Sequence, residues 1–481
     1  MDTFRRHIVL GILIILYVLI FGIFASFRHY NFETQAWDMG IFTQTFWNTV
    51  HGRFMENTLE EIPNHFGVHF SPALLLLVPG FFLFPSAYYF LIVQTLLLAL
   101  GAIPLYLVAL RKIGSKKLSI LFAAAYLLYP GLHWLNIFDF HEISLFIPFF
   151  LWAFYFFEKR VNVWAFIFLF LAALTREDAA LITAFFGLYV MLNKTENKWS
   201  RKKIIAGGLI FVISILYILA AAKIFMPAFG GGFLRLDRYQ HLGGGASEIV
   251  SNIVANPSLF ADALFSKDKL IYIFWMFLPV LFLPFFALRG ILLFLPGLLE
   301  NLLASYSSQF SGLYQYDAVV IPGIFLAAIL GFEFLSEKTR NNKILFYLFL
   351  VAALFTFAFR SPLSPFNFPF EILSPKFDYS EIRKIVNEIP EKYSVASQAN
   401  ILPHAAGREK IYLLGSEKEP PQILIIDGND YFGFESAALF QKYVNRYYYS
   451  GNYDSLVISG RYLLLYEKGS GFFPETQKQN F

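Results

Sequence analysis

Residues 143–178, ISLFIPFFLWAFYFFEKRVNVWAFIFLFLAALTRED, decide the class of this chain. Two apolar runs, 143–157 and 162–174, flank Lys159 and Arg160, and the second ends on Thr175-Arg176-Glu177-Asp178. Neither run contains a charge. Each reads as a membrane helix, though a short one. Crossing roughly 30 Å of hydrocarbon takes about 20 apolar residues, whereas 162–174 reaches roughly 20 Å at about 1.5 Å per residue. The turns at 136–142 and 175–178 are therefore expected below the outer interface. A charge at the bilayer centre costs about 2.5–3.5 kcal/mol on insertion scales. That cost favours a water-filled cavity opening outward, lined by Asp139, His141, Glu142, Arg176, Glu177 and Asp178. An Arg–Glu–Asp cluster that only neutralises itself is the alternative.

Outward from this pair, similar runs lie near 8–27, 86–110, 118–135, 178–192, 204–226, 270–288, 291–304, 318–335 and 344–360, for about eleven spans in all. Composition agrees. Hydrophobic residues make up 57% of the 481, charged residues 15% and aromatics 19%, with 59 Phe. A soluble domain is about 25% charged, so this is a polytopic α-helical membrane protein. Zero cysteines exclude disulfide scaffolds, thiolate zinc sites and Cys nucleophiles. The net charge of +4 is spread along the chain and gives no basic stripe for nucleic acid. No internal repeat supports an inverted-repeat transporter.

Basic clusters set the expected orientation. Arg5 and Arg6, Arg111 to Lys117, Lys159 and Arg160, Lys194 to Lys203, Arg289, and Lys338 to Lys343 all fall on the cytoplasmic side with eleven spans. The N-terminus is then cytoplasmic and the C-terminus external. Within 1–360, a first external loop covers about 28–85, and its segment 69–84, interrupted by Pro72 and Pro79, reads as interfacial or re-entrant. Residues 8–27 are too long for a typical signal-peptide core and read as an anchor. A Pro-rich linker follows at 361–377. Residues 378–481 read as a small external α/β domain: a helix at 378–389, strands at 393–397, 411–414 and 422–426, and a hairpin, 455–459 with 462–466, around Gly460-Arg461.

The polar residues outside the spans carry the chemistry. Asp38 sits among aromatics just after the first span. It is read either as the cap of a short helix starting at Met39 or as a catalytic carboxylate. Gln44 and Asn48 follow at helical spacing, then His65 and His69, whose four-residue separation would align two ligands on one helical face. Asp139, His141 and Glu142 place three potential metal ligands in four residues, and a merely polar loop is the alternative. Triple glycines at 230–232 and 243–245 bracket Arg235 and Arg238. A mobile lid at about 227–268 bearing two phosphate-suited arginines, or plain disorder, both fit. The next loop, 305–317, holds Gln309, Tyr316 and Asp317.

Several strings together resemble the membrane family catalogued as domain of unknown function 2079. They are Trp37-Asp38-Met39-Gly40-Ile41-Phe42 with Gln44, Trp47 and Asn48; His69-Phe70-Ser71-Pro72; Tyr129-Pro130; Phe138-Asp139-Phe140-His141; Arg176-Glu177-Asp178-Ala179; and Leu402-Pro403-His404 with Arg408 and Tyr412. The family more often has Lys at the Arg176 position, and a His where this chain has Gln315. That family in turn resembles GT-C-fold glycosyltransferases, which take a sugar from a polyprenyl-phosphate carrier at the outer membrane face. The resemblance implies an essential carboxylate at Asp38 and a second acidic cluster at Asp139, His141 and Glu142. It also implies, in some members, a divalent metal such as Mg, Mn or Zn.

On this reading Asp38 deprotonates an acceptor hydroxyl. Arg176, Arg235, Arg238 or a metal meets the carrier phosphate. Glu177, Asp178, Gln44, His65, His69 and Tyr316 line the cavity, and His404 and Arg408 belong to an acceptor-selecting domain. The polyprenyl tail lies between Phe-rich spans. A transporter or flippase, or a non-catalytic assembly subunit, are the competing readings.

Overall fold

The computed structural model describes residues 2–193, 199–232, 234–338, 342–374 and 378–474. Among these, four helices are long and apolar enough to cross a membrane: Ile8–Tyr30, Ala87–Ile113, Arg201–Ala228 and Lys343–Arg360. A fifth span forms if Lys116–Leu127 and Pro130–Ile137, bent by 42°, count as one. The bend falls where Pro130 removes a backbone donor and crowds the preceding turn. Shorter apolar helices, Asn162–Ala173 and Ala179–Leu192, lie where the sequence placed its short runs. The cluster Lys194 to Lys203 and the group Lys338 to Lys343 lie partly outside the described residues.

Two expected spans are broken. Residues 270–288 form a helix, Lys267–Phe277, followed by the 3-10 turns Leu278–Val280 and Leu283–Phe286. Residues 291–304 form the turn Gly290–Leu293 and the helix Leu295–Leu303. Pro279, Pro284 and Pro296 interrupt the hydrogen-bond ladder, and Leu281 and Phe282 are left-handed, with φ of 53° and 54°. Irregular backbone at membrane depth is tolerated where protein covers it. Helix Ile321–Lys338 supplies that cover through two glycines. A Cβ on Gly331 would stand 2.0 Å from the Leu283 carbonyl oxygen, and one on Gly323 would stand 2.1 Å from that of Leu293.

The chain divides into two compact units, the first comprising Met1–Ala25, Val68–Leu75 and Ile92–Pro369. Its interior is aromatic. Phe150, Phe154 and Phe186 are fully buried. His133 is buried too, with Nδ1 2.8 Å from Ser361 Oγ and Nε2 2.6 Å from the Leu127 carbonyl, which satisfies both ring nitrogens. Helices Ala179–Leu192 and Arg201–Ala220 pack at Gly187 and Gly207, the small-residue contact expected between apolar helices.

The second unit comprises Ser26–Gly67, Leu76–Leu91 and Phe370–Phe481. Most of the first loop thus shares a compact unit with the C-terminal region, a division that cuts across the linear one expected from sequence. Its sheet has β1 (Val395–Ser397), β2 (Ile411–Leu413), β3 (Ile423–Asp427), β4 (Tyr453–Ile458) and β5 (Tyr462–Glu467), in the order β2-β1-β3-β5-β4. β1 runs parallel to β2 and β3, and β5 is antiparallel to β3 and β4.

Side chains alternate across the sheet, as the strand period requires. Val395, Ile423, Ile425 and Leu464 pack with Ile382, Ile385 and Val386 of helix Ser380–Glu388. Ala396, Leu424, Ile426 and Leu465 pack with Phe440, Val444 and Tyr447 of helix Ala437–Tyr448. Helices on both faces explain why β3 is buried throughout. The β4–β5 hairpin is present, but its two positive-φ residues are Ser459 and Gly460, not Gly460 and Arg461. Arg461 instead bonds bidentately to buried Asp427 at the end of β3.

Three variants test this fold. Gly331→Ala should destabilise the protein by about 2 kcal/mol or more through overpacking against backbone. Gly208→Ala, with open space at its Cβ, should leave the thermal unfolding midpoint within error. Arg408→Ala strips donors from the carbonyls of Tyr393 and Ala405. Limited proteolysis should then cut the C-terminal region at lower temperature, by about 3 kcal/mol of lost stability.

Candidate functional site

The first unit gathers polar groups from five separate segments. Helix Ala87–Leu100 contributes Gln94, fully buried. Its Nε2 donates to the Asp139 carbonyl at 2.7 Å, and its Oε1 accepts the His141 N–H at 3.0 Å. One side-chain amide thereby fixes the 139–141 turn, in which Asp139 holds a left-handed φ of 36°. The same turn aims Glu142 at Arg176, with 3.7 Å between Oε1 and Nη1.

Arg176 is nine-tenths buried. Its fork is taken by Asp178, with Nε donating to Oδ1 at 2.8 Å and Nη2 bonding to Oδ2. Glu177 turns the other way, accepting the Phe70 N–H at 2.9 Å and lying 3.0 Å from His69 Nδ1. Glu300, on helix Leu295–Leu303, adds a further carboxyl group against Asp178. Its Oε2 has no hydrogen-bond partner among the described residues. A buried guanidinium surrounded by carboxyl groups is stable only when paired and hydrogen-bonded, and this one is. Residues 139–142 and 176–178, expected from the sequence to line a cavity, thus belong to one neighbourhood, and within it Arg176 is already committed to carboxylates.

Arg238 is placed differently. It lies in the 3-10 segment Leu234–Tyr239, over the rings of Tyr306 at 5.0 Å and Tyr316 at 5.2 Å. Nη1 donates to Gln309 Oε1 at 3.2 Å, and Gln309 Nε2 donates to the Tyr239 hydroxyl at 3.1 Å. Tyr239 in turn donates to the Glu300 carbonyl at 3.1 Å. This chain of bonds ties the expected lid to the Arg176 neighbourhood, so around Arg238 the segment is anchored by specific contacts. Arg238 makes no ion pair among the described residues. The side chain of Arg235 lies outside the described residues.

Asp38 belongs to the second unit. It sits half-buried in the π-helical turn Ala36–Gly40, directly ahead of helix Ile41–Val50. The helical turn therefore starts at Ala36, three residues ahead of Met39, and its cap position falls on Gln35, whose side chain makes no capping bond. Gln44 is fully buried and clamps Thr58, accepting its N–H at 2.9 Å, while donating to the Glu409 carbonyl at 2.8 Å. His65 lies 3.1 Å from Glu60, whereas His69, in the other unit, takes Glu177. The two histidines thus have separate carboxylate partners.

His404 stacks on His29 at 4.1 Å and Phe32 at 3.8 Å. Burial, then the charges of His29 and Arg383, hold its pKa well below the usual histidine value. Arg408 is buried and donates to the carbonyls of Ala405, Tyr393 and Pro390. Burial lowers its pKa to about 10. Both side chains are engaged in packing and backbone bonding.

No group of three His, Asp or Glu among the described residues is placed to hold a metal ion. Asp139, His141 and Glu142 are adjacent in sequence, but the Gln94 clamp presents them without a convergent donor set. Gln94 and Glu300 were not singled out from sequence. The available signal was a lone amide and a lone carboxylate inside otherwise apolar runs, residues that inside a membrane are functional candidates by default.

No curated protein matches the chain. Among solved structures, it is similar to ArnT from Cupriavidus metallidurans bound to undecaprenyl phosphate, at 12% identity and a TM-score of 0.56, covering 96% of this chain and 98% of that one. It is also similar to the archaeal oligosaccharyltransferase AglB from Archaeoglobus fulgidus, in complex with an inhibitory peptide and a dolichol-phosphate. That match has 13% identity and a TM-score of 0.42, covering 86% of this chain and 69% of the other. The ArnT likeness concerns the fold. The family expected from the motifs is the one that matches, over residues 28–457, and the chain belongs to the family described as predicted membrane protein, DUF2079.

Proposed function

We propose that this protein is an integral-membrane glycosyltransferase of GT-C type, moving a sugar from a polyprenyl-phosphate carrier to an acceptor hydroxyl at the outer membrane face. The reading carries with it a cytoplasmic N-terminus and an external C-terminal region. What supports it most is the cluster of Arg176, Asp178, Glu142, Glu177 and Glu300 in a unit otherwise walled by Phe and Leu. Such charges are costly in an apolar setting and are retained where they do chemistry. The ArnT-like fold, and the undecaprenyl phosphate bound to ArnT, supply the carrier class.

In the proposed reaction an acceptor oxygen attacks the anomeric carbon. The bond from that carbon to the phosphate oxygen breaks, and polyprenyl phosphate departs with the electron pair. Asp38 takes the hydroxyl proton as general base. Arg238 meets the carrier phosphate, because its guanidinium is stacked on two tyrosines and has no carboxylate partner among the described residues. Arg176 organises Glu142 and Asp178 within the first unit. No step is assigned to a metal.

Transfer from a polyprenyl-phosphate sugar, measured with purified protein in liposomes, tests this. Asp38→Asn should lower kcat about 100- to 10,000-fold at an unchanged unfolding midpoint. Undiminished transfer in that variant would remove the base assignment. Arg238→Ala should raise KM for the carrier about tenfold or more, with Arg238→Lys intermediate, since a point charge replaces part of a guanidinium fork. Equal KM values in all three proteins would reassign the phosphate.

A further inference from the structure

Beside the Arg176–Arg238 neighbourhood, and still within the first unit, lies a cavity of about 280 Å³. It falls near the lower end of small-molecule sites, about 300–1,000 Å³. Helix Leu295–Leu303 separates the two places by one residue. Glu300 faces Asp178, while Asn301 donates to the Tyr272 hydroxyl at 2.9 Å and the Tyr316 carbonyl at 3.2 Å.

Two features make this cavity a built site. The first is Asp317, almost fully buried, which lines it. Oδ1 accepts the Tyr272 hydroxyl at 2.6 Å, whereas Oδ2 accepts no hydrogen bond among the described residues. Glycines keep that oxygen open, since a Cβ on Gly131 would stand 3.3 Å from it and one on Gly312 would stand 3.8 Å away. A carboxyl oxygen that opens onto a cavity without a protein donor is left for a ligand or water to supply one. Burial raises the Asp317 pKa to about 7, against the opposing pull of the Tyr272 bond, so the group can accept or donate.

The second feature is the aromatic wall. Trp275, Trp134 and Phe310 line the cavity together with Arg360. Arg360 lies over the Trp275 ring at 5.3 Å, and its carbonyl accepts the Trp134 indole N–H at 3.0 Å, which fixes that ring. Flat apolar faces, an open carboxyl acceptor and a guanidinium donor are the groups needed by a ring with C–H faces and hydroxyl edges. A long acyl chain would leave the carboxyl unpaired. An inorganic anion would meet Asp317 and Asp268 as like charges.

We infer that this cavity is a saccharide-binding subsite taking a single sugar ring, which packs against the aromatic wall that includes Trp275 and donates a hydroxyl to Asp317. The inference rests on the transferase reading for what the ring does there, and on the cavity alone for its binding.

The test separates these two. Saturation-transfer NMR on the full chain in detergent micelles would use free D-glucose, D-galactose, D-mannose, N-acetyl-D-glucosamine and L-arabinose. At least one should give a saturation-transfer signal that is absent when the protein is left out. Trp275→Ala and Asp317→Asn should each weaken that binding about tenfold, and Trp275→Phe should restore most of it, which guards against a folding defect. Asp38→Asn should bind unchanged. Silence from all five sugars with wild-type protein, or a signal that neither Trp275→Ala nor Asp317→Asn reduces, overturns the subsite even where transfer is observed. Binding with the expected variant pattern but no transfer leaves the subsite standing and removes the transferase.

Discussion

Everything distinctive about the first unit follows from the cost of putting charge into an apolar interior. Arg176 is tolerated because Asp178 meets two arms of its fork and Glu142 stands beside a third. The turn carrying Glu142 is in turn held by an uncharged clamp, Gln94, which bonds both sides of it. Remove the pairing and the guanidinium would be unpaired in a medium where its solvation cannot be replaced. The pairing also limits the chemistry. An arginine occupied by carboxylates attracts an anion poorly, which is why the proposed phosphate contact is assigned to Arg238, held by aromatic faces and an amide.

A second constraint concerns backbone rather than side chains. Between residues 278 and 294 the chain abandons continuous helix at several prolines, and its carbonyls at Leu283 and Leu293 come against Gly331 and Gly323. Helix Ile321–Lys338 therefore serves as a cover for non-helical backbone, which hydrocarbon could not solvate. This irregular stretch leads directly into helix Leu295–Leu303, whose Glu300 and Asn301 serve two adjacent polar places. Adjacent positions on that helix point about 100° apart, which brings two consecutive side chains to two different neighbourhoods.

The same logic appears in the second unit. Asp427 is buried at the end of β3 and is matched by Arg461 from the β4–β5 turn. Arg408 feeds carbonyls at 390, 393 and 405 from inside the fold. The segment containing Asp38 packs with this region through Ala36, Leu402 and Ile411. A motif after the first span and a motif near residue 404 therefore belong to one folded body, although about 360 residues separate them along the chain.

Membrane class, the short apolar helices at 162–174 and 178–192, the strand positions after residue 393 and the family were all legible in the residues. Each rests on local composition or on a period that the backbone itself imposes. Tertiary structure decided the rest: which carboxylates Arg176 spends itself on, that His65 and His69 take different partners, and that Arg408 faces inward. It also brought Gln94, Glu300 and Asp317 into view. A side chain's role in an apolar interior depends on the group that meets it across hundreds of residues. Sequence spacing carries no information about that distance, because only packing sets it.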